Sequence, residues 1–178
     1  MDTSKRKIIF SHEEINKEVQ RLGQQISKDY MGEKILVISL LKGSFIFAAD
    51  LIRAIDGDVQ MEFMTTSSYG HGEASTGEVS IVNDLSVDIK GRHVLVVDDI
   101  VDSGLTMSVI LKHLKTSNPA SLKSCVLLDK PERRVVEIEP DYCGFVIPDL
   151  FIVGYGLNYG DYFRNIPYIF SFIQDEEA

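Results

Sequence analysis

His93-Val94-Leu95-Val96-Val97-Asp98-Asp99-Ile100-Val101-Asp102-Ser103-Gly104-Leu105-Thr106 decides the reading of this chain. A continuous apolar run, His93 to Val97, is suited to a buried strand. It leads into three carboxylates and then into a small, hydroxyl-bearing turn that opens a helix marked by Met107, Ile110, Leu111 and Leu114. Carboxylates at the end of a buried strand cost free energy unless each finds a partner. The turn after them offers backbone N–H groups, two hydroxyls, a permissive glycine and the positive end of a helix, which together suit a phosphate. Acids for sugar hydroxyls or a metal, set beside a phosphate cradle, describe a site for a phosphorylated sugar.

Other acidic and phosphate motifs fit less well. A haloacid-dehalogenase-type phosphatase needs Asp-x-Asp-x-Thr, whereas two residues separate Asp99 from Asp102. A receiver domain's phosphorylated aspartate is not followed by a phosphate cradle. No Gly-x-x-x-x-Gly-Lys-Ser/Thr loop is present. A plain helix cap would use Ser103 or Thr106 but has no need of three acids.

Outward from this stretch the chain alternates strands and helices. Lys34 to Leu41 is a second continuous apolar run, broken by Lys42-Gly43-Ser44, and Phe45 to Ile55 reads as a helix. Ser11 and Glu14 form a capping box before Ile15, Val19, Leu22 and Ile26 at helical spacing. Val59 to Ser67 alternates as a half-exposed strand, Glu78 to Val82 resumes one, and Lys90-Gly91 turns into the central run. Leu122 to Leu128, Tyr142 to Val146 and Phe151 to Gly154 read as short strands, and Ile166 to Ile173 as an apolar tail that docks as a strand. The glycine-rich segment Gly70 to Gly77 is the flexible one, and Gln174 to Ala178 is expected to fray. The expectation is an α/β fold with a mostly parallel sheet covered on both faces, its ligand site at the carboxyl ends of the strands.

Composition narrows the class. A chain of 178 residues reads as one domain, 1–178, with a hydrophobic fraction of 44% and 25% charged residues. Its net charge of −9, from 18 basic and 27 acidic residues, argues against nucleic acid or an anionic membrane as partner. A phosphate site on such a chain must be compensated locally by lysine, arginine, backbone dipoles or a divalent cation. Ile8, Ile9 and Phe10 are too short a run for a signal peptide, and no run reaches the ~20 apolar residues of a membrane span, so a cytoplasmic protein is expected. Cys125 and Cys143 read as free thiols of a reducing compartment, and His12, His71, His93 and His113 as structural or exposed.

The opening stretch resembles the phosphoribosyl-diphosphate signature of the type I phosphoribosyltransferases: apolar run, two acids, two apolar residues, then Asp-Ser-Gly-x-Thr. The resemblance extends over nearly the whole chain to the hypoxanthine-guanine branch of that family. It is carried by Leu40-Leu41-Lys42-Gly43-Ser44-Phe45, Ser68-Tyr69 with Ser75-Thr76-Gly77, Leu128-Asp129-Lys130, Ile147 to Tyr159, and Tyr162-Phe163-Arg164. It implies a type I phosphoribosyltransferase fold: a mostly parallel twisted sheet flanked by helices, a small hood from the N- and C-terminal segments, and a flexible active-site loop at about 68–78. The reaction implied is purine salvage, moving the 5-phosphoribosyl group of phosphoribosyl diphosphate to N9 of hypoxanthine or guanine, with IMP or GMP and pyrophosphate as products and Mg2+ as cofactor.

Residue by residue, the resemblance implies that Asp98 and Asp99 hold the ribose hydroxyls and orient metal. The loop Ile100, Val101, Asp102, Ser103, Gly104, Leu105 and Thr106 holds the 5′-phosphate. Asp102 is the general acid/base at the purine N7, its pKa to be raised by burial or by the charges of Asp98 and Asp99. Lys42 and Gly43 bind pyrophosphate, with a cis Leu41–Lys42 peptide turning an amide toward it, and Arg164 contacts pyrophosphate as well. Ser68 and Tyr69 open the loop that closes over the site. Lys130 donates to O6, Phe151 stacks on the purine, and the backbone at Ile152 reads its edge. Arg134 is implied to position Lys130 or the pyrophosphate loop. Where the family has Gly-x-x-Asp-Tyr this chain has Gly156-Leu157-Asn158-Tyr159. Asn158 therefore stays in the purine site, while its amide coordinates a second metal more weakly than a carboxylate. Two alternatives remain open from sequence: a transferase preferring xanthine or a single 6-oxopurine, and a regulatory protein that binds phosphoribosyl diphosphate without turnover. A homo-oligomer is expected, with dimer and tetramer both open.

Overall fold

Strand residues pointing to opposite sides feed two separate cores, which is why the central strands are apolar on both faces along most of their length. The computed structural model describes residues 5–68 and 79–173. In chain order the elements are β1 (Arg6–Phe10), α1 (His12–Asp29), β2 (Lys34–Leu41), α2 (Phe45–Ala54), β3 (Asp58–Ser68), β4 (Val79–Asn83), β5 (His93–Val101), α3 (Leu105–Lys115), β6 (Ser121–Asp129), β7 (Tyr142–Val146) and β8 (Ile169–Phe172), with a 3-10 turn at Pro131–Arg133. The main sheet has the order β4-β3-β2-β5-β6-β7 and is parallel except for the β3–β4 pair.

Ile35 and Val37 of β2 and Leu95 and Val97 of β5 face α1 and α2, together with Ile15, Leu22, Phe47 and Leu51. Leu36, Ile38 and Leu40 of β2 and Val94 and Val96 of β5 face α3, against Met107, Ile110 and Leu114. The capping box forms: Glu14 N–H donates to Ser11 Oγ (3.2 Å), and Ser11 N–H donates to Glu14 Oε2 (2.8 Å). Gly23 lets α1 lie against α2, since a Cβ there would stand 2.5 Å from the Ala54 carbonyl oxygen.

A second, two-stranded sheet pairs β1 with β8 antiparallel, Arg6 opposite Phe172. This is the hood formed from both ends of the chain. Its β1 partner was not anticipated as a strand; Ile8, Ile9 and Phe10 are too few to announce one. Two other expectations are corrected. Phe151 to Gly154 is not a strand: only Val153 bridges to Phe170, because Gly154, Tyr155 and Gly156 all take positive φ and turn the chain. The C-terminal strand starts at Ile169 rather than Ile166, after Pro167, which has no N–H to donate to a ladder. The central strand β5 runs past Val97, through Asp98 and Asp99 to Val101. Its ladder with β6 persists there, pairing Ile100 with Leu128 and Val101 with Asp129. The glycine-rich segment lies outside the described residues, as do Tyr69 and the last five residues. Cys125 and Cys143 are free, and burial pushes both thiols up, Cys143 to about 11. Among the described residues no helix is long and apolar enough to cross a membrane.

Candidate active site

The carboxyl ends of β2 and β5 open side by side, and a cleft of about 280 Å³ lies between them. Its lining includes Lys42 and Gly43 from the turn after β2, Thr66 from β3, Asp98 and Asp99 from β5, and Asp102, Ser103, Gly104 and Thr106 from the loop into α3. Two apolar strands thus carry polar groups from distant parts of the chain to one edge of the sheet.

The turn after β2 is set from beneath. Buried Ser44 donates to the Leu40 carbonyl and shares a 2.6 Å hydrogen bond with buried Ser39. The Leu41–Lys42 peptide is cis. Gly43 lies flush against Asp99, where a Cβ would stand 1.8 Å from Asp99 Oδ2. On its other side, a Cβ on Gly156 would stand 2.1 Å from the Gly43 carbonyl oxygen. At Gly156 the obstruction is backbone, and at Gly43 it is the Asp99 side chain.

Asp98 and Asp99 meet the cost of ending a buried strand with hydrogen bonds to backbone. Asp98 Oδ1 accepts from Asp99 N–H (3.0 Å), and Asp99 Oδ1 accepts from Ile100 N–H (2.9 Å). Burial pushes both carboxyls up. The neighbouring Asp99 charge drives Asp98 further, well above the ordinary carboxylate range. For Asp99, the hydrogen bonds it makes and the Arg164 charge pull part of the way back. Among the described residues no set of three acidic, histidine or cysteine side chains forms a cage for a metal. Two crowded, desolvated carboxylates facing a cleft instead suit a hard cation that brings its remaining ligands with it.

The cradle is held from behind by Arg134. Its Nη1 donates to the carbonyls of Val101 (2.9 Å) and Asp102 (2.6 Å), its Nε to Ile138 (3.0 Å), and its Nη2 to the Asp129 carboxylate. Val135 N–H takes the Ser103 carbonyl at 3.0 Å. With the loop's carbonyls drawn outward, the N–H groups at the start of α3 have no carbonyl to bond within the helix. Gly104 turns the chain there with φ +84°, and a Cβ would meet Ile138 at 2.6 Å. Neither Ser103 nor Thr106 caps α3; Ser103 Oγ makes one long contact, 3.4 Å from Leu105 N.

Beyond the cleft, Lys130 follows β6 with its side chain 8% exposed and Nζ 3.7 Å from Asp149 Oδ1. Phe151 is exposed and meets Tyr159 edge-on, while Ile152 is buried. Asn158 is exposed, does not line the cleft, and donates its amide to the Gly160 carbonyl. Arg164 donates to the Gly156 carbonyl (2.6 Å) and borders an apolar groove with Lys42, Phe45 and Phe63. Leu105 begins α3 without entering the cleft lining, and Ser68 ends β3. Asp102 lines the cleft without being buried in it. Its side chain is 41% exposed, and Oδ1 accepts from Arg133 Nε at 3.1 Å.

Sequence reasoning passed over Thr66, Arg133 and Asp149. Asp149 stood in a matched block with no role attached, and Arg133 adjoins Arg134 three residues after Lys130, a positional signal without a stated chemistry.

Residues 5–160 match the model of the phosphoribosyl transferase domain. The chain is 52% identical over 165 residues to hypoxanthine phosphoribosyltransferase of Buchnera aphidicola subsp. Schizaphis graminum, covering 92% of this chain and 93% of that one. It is 49% identical over 164 residues to hypoxanthine-guanine phosphoribosyltransferase of Streptococcus pneumoniae, covering 92% and 91%. The crystal structure of a hypoxanthine-guanine phosphoribosyltransferase from Bacillus anthracis superposes with a TM-score of 0.87 at 47% identity, covering 93% of this chain and 97% of that one.

Proposed function

The chain belongs to the hypoxanthine-guanine branch of the phosphoribosyltransferase family, and from that membership and the cleft together we propose how it works. It transfers the 5-phosphoribosyl group of phosphoribosyl diphosphate to N9 of hypoxanthine or guanine, yielding IMP or GMP and pyrophosphate in purine salvage. One observation carries the assignment of residues to this reaction: the Lys42-Gly43 turn and the Asp98–Thr106 loop share a single cleft at adjacent strand ends.

Leaving-group departure from C1 of the ribose builds positive charge on the sugar and negative charge on pyrophosphate. Catalysis therefore lies in stabilising pyrophosphate and holding the base in line. In our reading the N–H groups from Asp102 to Thr106, with the Ser103 and Thr106 hydroxyls, take the 5′-phosphate. Asp98 and Asp99 take the ribose hydroxyls. Lys42, the Gly43 amide and Arg164 take pyrophosphate. Asp98 and Asp99 would also hold Mg2+ which, when bound, neutralises the diphosphate on a chain of net charge −9. Asn158 could add only an uncharged oxygen to a second metal.

Lys130 donates to the purine O6 and so distinguishes a 6-oxopurine from a 6-aminopurine. Phe151 stacks on the ring, the backbone at Ile152 reads its edge, and Asp102 accepts or returns the N7 proton. Ser68 and Tyr69 open the segment that excludes water from the charged sugar. The same reading has the enzyme in the cytoplasm as a homo-oligomer, dimer or tetramer, without nucleic-acid or membrane partners.

The test is nucleotide formation from phosphoribosyl diphosphate, Mg2+ and each of hypoxanthine, guanine, xanthine and adenine. Turnover with hypoxanthine and guanine but not adenine is expected. Turnover with xanthine alone would overturn the base assignment. Tight phosphoribosyl diphosphate binding without any turnover would replace the enzyme with a regulatory protein.

A further inference from the structure

Arg133 joins the two groups that meet the purine. The 3-10 turn Pro131–Arg133 follows β6 directly, and Arg133 N–H donates to the Lys130 carbonyl at 3.1 Å. This folds the side chain back toward the strand ends. Its Nε donates to Asp102 Oδ1 (3.1 Å) and its Nη1 to Asp149 Oδ2 (3.3 Å). The other Asp149 oxygen lies 3.7 Å from Lys130 Nζ. The result is a chain of alternating charge, Asp102–Arg133–Asp149–Lys130, joining the loops after β5, β6 and β7. Among the described residues Asp102 Oδ2 accepts no hydrogen bond, so Arg133 holds one carboxylate oxygen and leaves the other available.

We propose that Arg133 is a positioning residue for purine recognition, acting through Asp102 at N7 and through Asp149 and Lys130 at O6; this rests on the function proposed above. The guanidinium is suited to the task because its planar fork presents adjacent N–H groups in fixed directions, so one side chain holds two carboxylates at a set angle. Without it, Asp102 would lose its ion pair and Asp149 would keep only Lys130. Stability does not explain the arrangement: Arg133 is 53% exposed, and ion pairs this open contribute little to folding.

The experiment compares the parent chain, Arg133→Ala, Arg133→Lys and Asp149→Asn by steady-state kinetics in each substrate, calorimetric binding of phosphoribosyl diphosphate, and thermal unfolding. For Arg133→Ala, kcat/KM for hypoxanthine should fall about 10- to 100-fold, mostly through a raised KM for the base, as expected for misplaced groups. Phosphoribosyl diphosphate affinity should stay within about twofold and Tm within about 2 °C, since only two exposed ion pairs are lost. Lysine should restore only part of the loss, because an ammonium lacks the fork, and Asp149→Asn should reproduce the defect on the base side. An unchanged KM for the base in Arg133→Ala, or equal losses for both substrates, would overturn the positioning role. Parent chain without hypoxanthine turnover would instead overturn the function itself.

Discussion

Gly43 is pressed against the carboxylate of Asp99 so closely that no other residue fits without moving it: an added Cβ would lie 1.8 Å from Oδ2. A turn assigned to pyrophosphate and an acid assigned to ribose and metal are therefore one packed unit. Gly43→Ala should leave the fold intact, because the obstructing atom ends a side chain that can rotate. Turning Asp99 aside should lower kcat/KM about 100-fold, the scale of an ångström-level misplacement. Circular dichroism would verify the fold, and retention of activity would show that Asp99 need not point where it does.

Gly104 makes a demand of a different kind. Its φ of +84° disfavours any side chain, and a Cβ would collide with Ile138. Gly104→Ala should destabilise the protein by at least about 1–2 kcal/mol from the backbone alone. At about 2–4 °C per kcal/mol for a chain of this size, thermal unfolding would register it. A Tm equal to the parent's would contradict the turn geometry.

Asp98 is held well above the ordinary carboxylate range by burial and by the Asp99 charge. For a group whose folded pKa is raised, the favourable contribution is full below the unfolded value of about 3.9 and is lost as pH rises through the folded pKa. Asparagine carries no charge at any of these pH values. Asp98→Asn should therefore melt higher than the parent in metal-free buffer at pH 8, with the gain shrinking toward pH 4, while transferase activity falls. A variant that melts below its parent at pH 8 would contradict the burial of that charge.

Lys130 brings an ammonium into a site where its side chain is only 8% exposed. If Lys130 is the O6 donor proposed above, Lys130→Ala should abolish measurable turnover of hypoxanthine while leaving phosphoribosyl diphosphate binding in place. Isothermal titration and a nucleotide-formation assay separate the two. Parallel loss of both would mean that Lys130 supports the cleft instead of the base.

Arg134 and Asp129 form a pair with side chains 15% and 12% exposed. Arg134→Ala strands the carboxylate and releases the carbonyls of Val101 and Asp102, so it should destabilise by about 3–5 kcal/mol. A loss under about 1 kcal/mol, the range of exposed pairs, would remove Arg134 as the brace of the cradle.

The sheet was legible because its strands are apolar on both faces: Lys34–Leu41 matches β2 residue for residue. The cleft was legible because its acids and small residues sit together in the chain, from Asp98 to Thr106. The hood came only with the family resemblance, and its strand β1 was not legible in the residues, since it has five of them and acquires its meaning only from a partner far along the sequence. Positive-φ turns at Tyr155 and Phe163 also escaped, because neither residue type signals such a conformation. The ties of Arg133 escaped for the same reason as β1: its two carboxylates lie on other loops, 31 and 16 residues away.

The pairing of Arg6 with Phe172 has a bearing on the time course of folding. The parallel strands close comparatively short loops, whereas this ladder must bring together opposite ends of the chain, and contacts of large sequence separation form slowly. Phe151, Val153 and Tyr159 hang on that ladder through contacts to Tyr159, Phe170 and Phe172. Pulse-labelled hydrogen exchange should therefore find amides of β2 and β5 protected before those of β8; simultaneous protection would exclude a sequential order. A nascent enzyme would then own the cleft between β2 and β5 while the wall proposed for the purine is still unbuilt.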